Sequence, residues 1–370
     1  MNKIPIFEPY VARNQALYLA QCVEQNWISS KGPFLEKFKL QLENIYKGYQ
    51  CVLTSNCTTA LHLSLNILDL SASDEVICPA LTFIAPANMV LLSGSKLVLV
   101  DIEKDSLNIS LENIKKAYTK NTKVVIYVHQ FGNSSEIKEI ADWCKINNIT
   151  LVEDIAEAFL TKYQGKYAGR FGDIATLSFF GNKYITTGEG GALLIKDPAL
   201  FARAGLTRDH GMQADGRYIH ERLGFNYRMT NLQAAVGLAQ LDDIEIINRI
   251  RNQQLALYTK LLEGEPMISM RNFSSDCIPS HWLTTIFLDS TLDRNALQEE
   301  LLKAGIESRI MIRPVNQALH IKKMIPDSFE WAVERSSKGM HLPSGTSLSS
   351  NQIHYICKTL RELLPKCMKK

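Results

Sequence analysis

The stretch SFFGNKYITTGEGGAL, residues 178–193, ends an aromatic strand, passes through one lysine, Lys183, and closes on a turn built from Gly188, Gly190 and Gly191. The apolar runs on either side, 174–180 (IATLSFF) and 191–196 (GALLIK), are strand-like and lie too close together for a helical crossover. They read as a hairpin. Upstream the rhythm differs: strands at 51–54 (CVLT), 75–78 (EVIC), 97–101 (LVLVD), 123–128 (KVVIYV) and 150–153 (TLVE) alternate with helical patterns at 58–68, 83–92, 110–117 and 136–147. Repeated strand–helix–strand units imply an α/β fold with a mostly parallel seven-stranded sheet between helices. Downstream, a long helical stretch over 231–262 leads into strand 282–289, helix 292–304, strand 306–312 and a closing helix at 350–363. This is expected to be a smaller C-terminal α+β domain. The division expected is an N-terminal arm 1–30, a large domain 31–245 and a small domain 246–370, the arm being too short to fold alone.

Composition excludes several classes of function. With 370 residues and 46% apolar content the chain can bury a large core, and its net charge of +3 comes without a block of like charge. Nucleic acid is therefore not an expected partner. The longest strictly apolar runs, 16–20 and 124–128, are five residues, far short of a bilayer span. The start, MNKIPIFEPY, has no apolar h-region, so a cytoplasmic location without membrane attachment is expected. The eight cysteines form no CxxC pair and no zinc-like cluster, and no metal is expected.

Ligands of such sheets bind beyond the C-terminal ends of the strands. Three segments there carry chemistry. SNCTTALHL at 55–63 opens a helix with small hydroxylated residues, which suits either a phosphate or helix capping by Ser55 or Thr58. VEDIAEA at 152–158 puts Asp154 just past an apolar strand, where a carboxylate must cap a helix or face a cation. The third segment places Ser178 at a strand end and Lys183 inside the fold, where burial favours an uncharged, nucleophilic amine. A phosphate, a group that wants a carboxylate and a carbonyl open to a lysine belong together in pyridoxal 5′-phosphate. On this reading the phosphate takes the helix start and Ser178, the ring nitrogen pairs with Asp154 and the aldehyde bonds Lys183.

The chain resembles the DegT/DnrJ/EryC1/StrS sugar-nucleotide aminotransferases, of pyridoxal phosphate fold type I, over nearly its whole length. The resemblance rests on WISSKGP (27–33), SNCTTALHL (55–63), PALTFIAPAN (79–88), VEDIAEA (152–158), SFFGNKYITTGEGG (178–191), FNYRMTNLQAA (225–235), IESR (306–309) and HLPSG (341–345), in family order. It implies that Lys183 is the Schiff-base lysine, that Asp154 partners the pyridine nitrogen, and that Glu157 stands beside the cofactor ring. Cys57, Thr58 and Ser178 would hold the phosphate, and Asn226 would reach the phosphate of a neighbouring subunit in a homodimer with shared sites. Phe83 is either a ring-stacking residue or core. Together with SHWLTTIFLD, these motifs look most like the branch that aminates C4 of GDP-4-keto-6-deoxymannose with L-glutamate for surface polysaccharide such as lipopolysaccharide O-antigen.

Two departures stand out. Cys57 occupies a usual glycine position, and the loop after IESR reads IMIRPVNQALH, with Arg313 and Asn316 replacing an aromatic residue and a histidine. If that loop reads substrate, both are candidate substrate-binding residues and the sugar or nucleotide could be UDP- or dTDP-linked. Other readings are a sugar dehydratase, whose members carry histidine in place of the lysine, a non-catalytic cofactor-binding protein, and a dinucleotide-dependent dehydrogenase, against which no GxGxxG opens the first crossover.

Overall fold

The computed structural model describes residues 3–213 and 218–369. Its centre is a seven-stranded sheet of β1 (Gln50–Thr54), β2 (Glu75–Pro79), β3 (Lys96–Val100), β4 (Thr122–Val128), β5 (Thr150–Asp154), β6 (Ile174–Ser178) and β7 (Gly191–Ile195). The strand order is β1-β7-β6-β5-β4-β2-β3. Five neighbouring strands, β3 to β6 in space, run parallel, whereas β7 is antiparallel to both β6 and β1. The hairpin expected around Lys183 is present.

Strand periodicity explains the layering, because successive side chains point to opposite faces. Val76, Cys78, Val124 and Ile126 join one core cluster with α3 (Cys57–Asn66) and α4 (Ile84–Leu92). The alternate residues Ile77, Val125 and Tyr127 pack on the other face with α5 (Leu111–Ala117) and α6 (Ile137–Ile146). Each crossover helix starts within one residue of its expected position.

The second half departs further from expectation. The stretch 231–262 is two helices, Asn231–Asp242 and Ile244–Leu262, meeting at Asp243. That carboxylate is almost fully buried and clasped by Arg13, whose Nη2 lies 2.5 Å away and whose Nε lies 2.7 Å away. The run 306–312 forms only a two-residue strand, Arg309–Ile310, because the chain on either side pairs elsewhere. Ile306 instead bridges Ile4, and the Val315 N–H donates to the Ala80 carbonyl at 2.8 Å. Arg309–Ile310 joins a four-stranded antiparallel sheet with Ile268–Met270, Thr284–Leu288 and Gly339–Leu342. The N-terminal segment is stitched to this half: Ile4 N–H donates to Gly305, Glu307 N–H to Ile4, and Ser344 N–H to Ile6. Among the described residues no helix is long and apolar enough to cross a membrane, and no cluster of ligating side chains suits a metal ion.

Candidate active site

The site begins at the C-terminal ends of β5 and β6, where the loops of three strands converge. At the start of α3 the cap is Asn56 rather than Ser55 or Thr58. Its Oδ1 accepts from Thr59 N–H at 2.9 Å in a reciprocal capping box. Capping satisfies Thr59, but the N–H groups of Cys57 and Thr58 have no partner within the helix and add to its positive end. Gly191 is why β7 can lie flush against this end, since a Cβ there would sit 2.4 Å from the Asn56 carbonyl carbon and 2.6 Å from Cys57 N. The GEGG turn thus fixes the cup at the helix start. Ser178, the last residue of β6, stands beside it and accepts from Phe180 N–H at 3.4 Å.

Asp154 ends β5 and is 5% exposed. Its carboxylate takes a hydrogen bond from Ala156 N–H at 2.9 Å, and burial pushes its pKa up to about 6 against the opposing pull of that bond and of the Lys183 charge. A buried carboxylate so poorly compensated is what a cationic ring nitrogen needs for a partner. Lys183 Nζ lies 3.6 Å from Glu157 Oε1 and 3.8 Å from the ring centroid of Trp282. A carboxylate and an aromatic face thus flank the amine nitrogen. The other Glu157 oxygen accepts from Phe131 N–H at 2.9 Å. The Cys57 thiol shares this pocket: burial, and then Asp154, push it well above the ordinary thiol range.

Lys183, Asp154, Glu157 and Cys57 therefore come together, with Ser178 and Thr58 at the rim. Phe83 precedes α4 and is 61% exposed, which removes the core-packing reading. Asn226 is exposed, and its Oδ1 accepts from Arg228 Nε at 3.0 Å, while the next residue's carbonyl accepts from Ser55 N–H at 2.8 Å. FNYRMT thus runs beside the α3 start. Arg313 is exposed near Arg294, whose pKa is lowered by burial and by that neighbour. Asn316 is buried, its amide N–H donates to the Asp327 carbonyl, and its Oδ1 has no partner.

Two residues at the site had no role in the sequence reading. Trp282 reaches Lys183 because Gly132 and Ser280 approach closely; a Cβ on Gly132 would meet the Ser280 carbonyl at 2.2 Å. Thr161 Oγ1 also donates to Gly132 O at 2.9 Å and accepts from Ser280 N–H at 3.0 Å. Phe131, at φ +46°, stacks on Trp282 with centroids 6.1 Å apart and planes at 17°. The available signal was SHWLTTIFLD itself, a tryptophan placed just before a small-domain strand.

A helix-start cup for phosphate, an undercompensated buried carboxylate and a lysine amine in one pocket fit pyridoxal 5′-phosphate, and the fold that carries them is that of the PLP-dependent sugar aminotransferases. The chain belongs to the DegT/DnrJ/EryC1/StrS aminotransferase family, whose model matches residues 9–361. It is 35% identical to the GDP-perosamine synthase of Escherichia coli O157:H7 over 365 residues, covering 98% of this chain and 99% of the relative. It is equally 35% identical to the GDP-perosamine synthase of Vibrio cholerae over 361 residues, covering 97% and 98%. The PLP form of a candidate sugar aminotransferase from Streptococcus pneumoniae superposes with a TM-score of 0.92 at 25% identity, covering 99% of this chain and 100% of that one. The protein is a PLP-dependent sugar aminotransferase.

Proposed function

We propose that this enzyme transfers the amino group of L-glutamate to C4 of a GDP-linked 4-keto-6-deoxy sugar, GDP-4-keto-6-deoxymannose first among them, to supply surface polysaccharide such as O-antigen. The observation that carries the reading is the meeting of Lys183 and Asp154 in one pocket of a chain that matches GDP-perosamine synthases almost end to end.

Bound pyridoxal 5′-phosphate supplies an electron-withdrawing ring that stabilises negative charge at the reacting carbon. Asp154 holds the ring nitrogen in its protonated state, and the cation in turn relieves the cost of burying the carboxylate. Ser178 and the first-turn N–H groups of Cys57 and Thr58 bind the phosphate. Glu157 lies at the ring's edge and orients Lys183, and the exposed Phe83 offers a stacking face. Lys183 Nζ is both the anchoring amine and the base that takes and returns the donor's α-proton. Arg313, on the loop after IESR, binds an anionic part of the substrate, most simply the diphosphate; Asn316 holds that loop against Asp327.

The active unit is a homodimer with shared sites, Asn226 of each chain serving its neighbour's phosphate cup, and it works in the cytoplasm. Support for the dimer comes from the exposure of Asn226 and of apolar side chains on the first two helices, α1 (Gln15–Glu24) and α2 (Pro33–Ile45), including Leu17, Val23 and Leu40. The chain is divided into arm 1–30, large domain 31–245 and small domain 246–370. A panel of GDP-, UDP- and dTDP-linked 4-keto sugars, assayed for glutamate-dependent amination, tests the substrate. Turnover confined to a UDP- or dTDP-linked member would favour the reading in which the altered 311–317 loop selects another nucleotide.

A further inference from the structure

We infer that the indole face of Trp282 and the carboxylate of Glu157 form a holding station for the Lys183 ammonium whenever that amine is not bonded to the cofactor, and that this station tilts the enzyme's preference between the aldehyde and amine forms of the cofactor. The inference rests on Lys183 being the anchoring amine. An aminotransferase frees its lysine once in every cycle, and a long, flexible cation released into a pocket beside Asp154 needs a defined place to go. Nζ sits 3.8 Å from the Trp282 centroid and 3.6 Å from Glu157 Oε1, closer than any other ammonium–ring approach among the described residues.

Both partners are fixed in advance. The Trp282 ring is 5% exposed, and its Nε1 donates to the carbonyl of Asn182, the residue before the lysine, at 2.5 Å. The ring also stacks near-parallel on Phe131. The Trp282 backbone carbonyl accepts from Nη1 of the fully buried Arg251 at 3.2 Å. Glu157 is oriented by the Phe131 N–H, so a single backbone segment sets both the ring and the carboxylate. Because neither group has to be ordered when the ammonium arrives, the cation–π and ionic contacts are gained at little entropic cost.

The consequence is thermodynamic. Bonding the pyridoxal aldehyde requires Nζ to leave the station, give up its proton and release one water as the C=N bond forms; binding the pyridoxamine form leaves Nζ in place. Removing the station therefore tightens the first and spares the second. The test is calorimetric titration of the cofactor-stripped full chain with pyridoxal 5′-phosphate and, separately, pyridoxamine 5′-phosphate. In Trp282→Leu the ratio of the two dissociation constants should move about 3- to 30-fold in favour of the pyridoxal form. Trp282→Phe should move it the same way by less, and the shift should vanish in a Lys183→Ala background. A parallel change in both constants, or an unmoved ratio in both tryptophan variants, overturns the station and makes Trp282 an ordinary wall of the site. Borohydride reduction followed by peptide mapping keeps the underlying reading separate: a label away from Lys183 defeats that reading, whereas a label on Lys183 with an unmoved ratio defeats only the station.

Discussion

Glu153 and Asp154 are consecutive carboxylates at the end of one strand, and their environments are opposites. Glu153 is fully buried and takes four hydrogen bonds, from Phe171, Gly172 and Gly169 N–H at 2.7, 2.6 and 2.7 Å and from His129 Nε2 at 2.9 Å. Asp154, on the opposite face, takes one from Ala156 and is left with a pKa near 6 by burial. The first carboxylate is satisfied by its own chain and holds the 169–172 loop; the second is kept short of partners within the chain. Burial alone does not mark a functional acid, but burial without compensation does.

That contrast predicts opposite responses on the two faces. The largest effect belongs to Lys183, where replacement by alanine should cut amination at least about 10³-fold and abolish the borohydride-reducible visible absorbance of the holoenzyme. Retained turnover would place the chemistry elsewhere. Asp154→Asn should lower kcat by about 10²–10⁴-fold while stabilising the cofactor-free protein. The sign follows from a folded pKa raised from 3.8 to about 6: the folded state holds the extra proton, so stability falls as pH rises through that window and stays lower above it. Removing the acid should abolish the fall and recover on the order of 3 kcal/mol at pH 7 to 8, read from denaturant melts of wild type and variant across pH 4 to 8. Glu153→Gln should do the reverse, costing about 2–4 kcal/mol of stability with its folded fraction still binding cofactor. Equal stability losses at both positions would erase the distinction.

Smaller effects lie further from the strand end. Arg313→Ala should lower kcat/KM for the sugar nucleotide about 10- to 150-fold and leave the glutamate half-reaction nearly unchanged in single-turnover measurements. If the glutamate half-reaction falls instead, Arg313 reads the donor's carboxylate. Mixing Asn226→Ala and Lys183→Ala chains should restore about one quarter of wild-type turnover, since half the dimers are mixed and each holds one intact site. No rescue from proven heterodimers would assign each site to a single chain.

Much of this was readable in the sequence for identifiable reasons. The parallel strands are short β-branched runs separated by helical periods, and the end of β5 announces Asp154, whereas the buried network of Glu153 had no signal of its own in the sequence. The Lys183 turn is legible because three glycines crowd around it. The small domain was less legible: the run 306–312 looks like one strand, yet Ile306 is claimed by Ile4 and Val315 by Ala80, partners hundreds of residues away in sequence. The strand Gly339–Leu342, a short GMHL, carries no alternating pattern of its own. Trp282 stood out only as part of SHWLTTIFLD, and its approach to Lys183 depends on a backbone contact at Gly132 that no local pattern encodes. Phe83 was ambiguous until its exposure removed the core-packing reading.

The stitching of the first residues has a consequence for the life of the chain before it is an enzyme. Ile4 and Ile6 pair with residues 305–307 and 344, and Arg13 closes on Asp243. During synthesis residues 4–6 must wait for residues 305–344 to leave the ribosome, whereas the central sheet draws on residues 50–195 and can form in the interval. Contacts so distant in sequence close slowly. Residues 4–6 therefore act as a late latch of folding, and a chain cut short before residue 305 keeps its central strands but leaves this segment without its partners in the small domain.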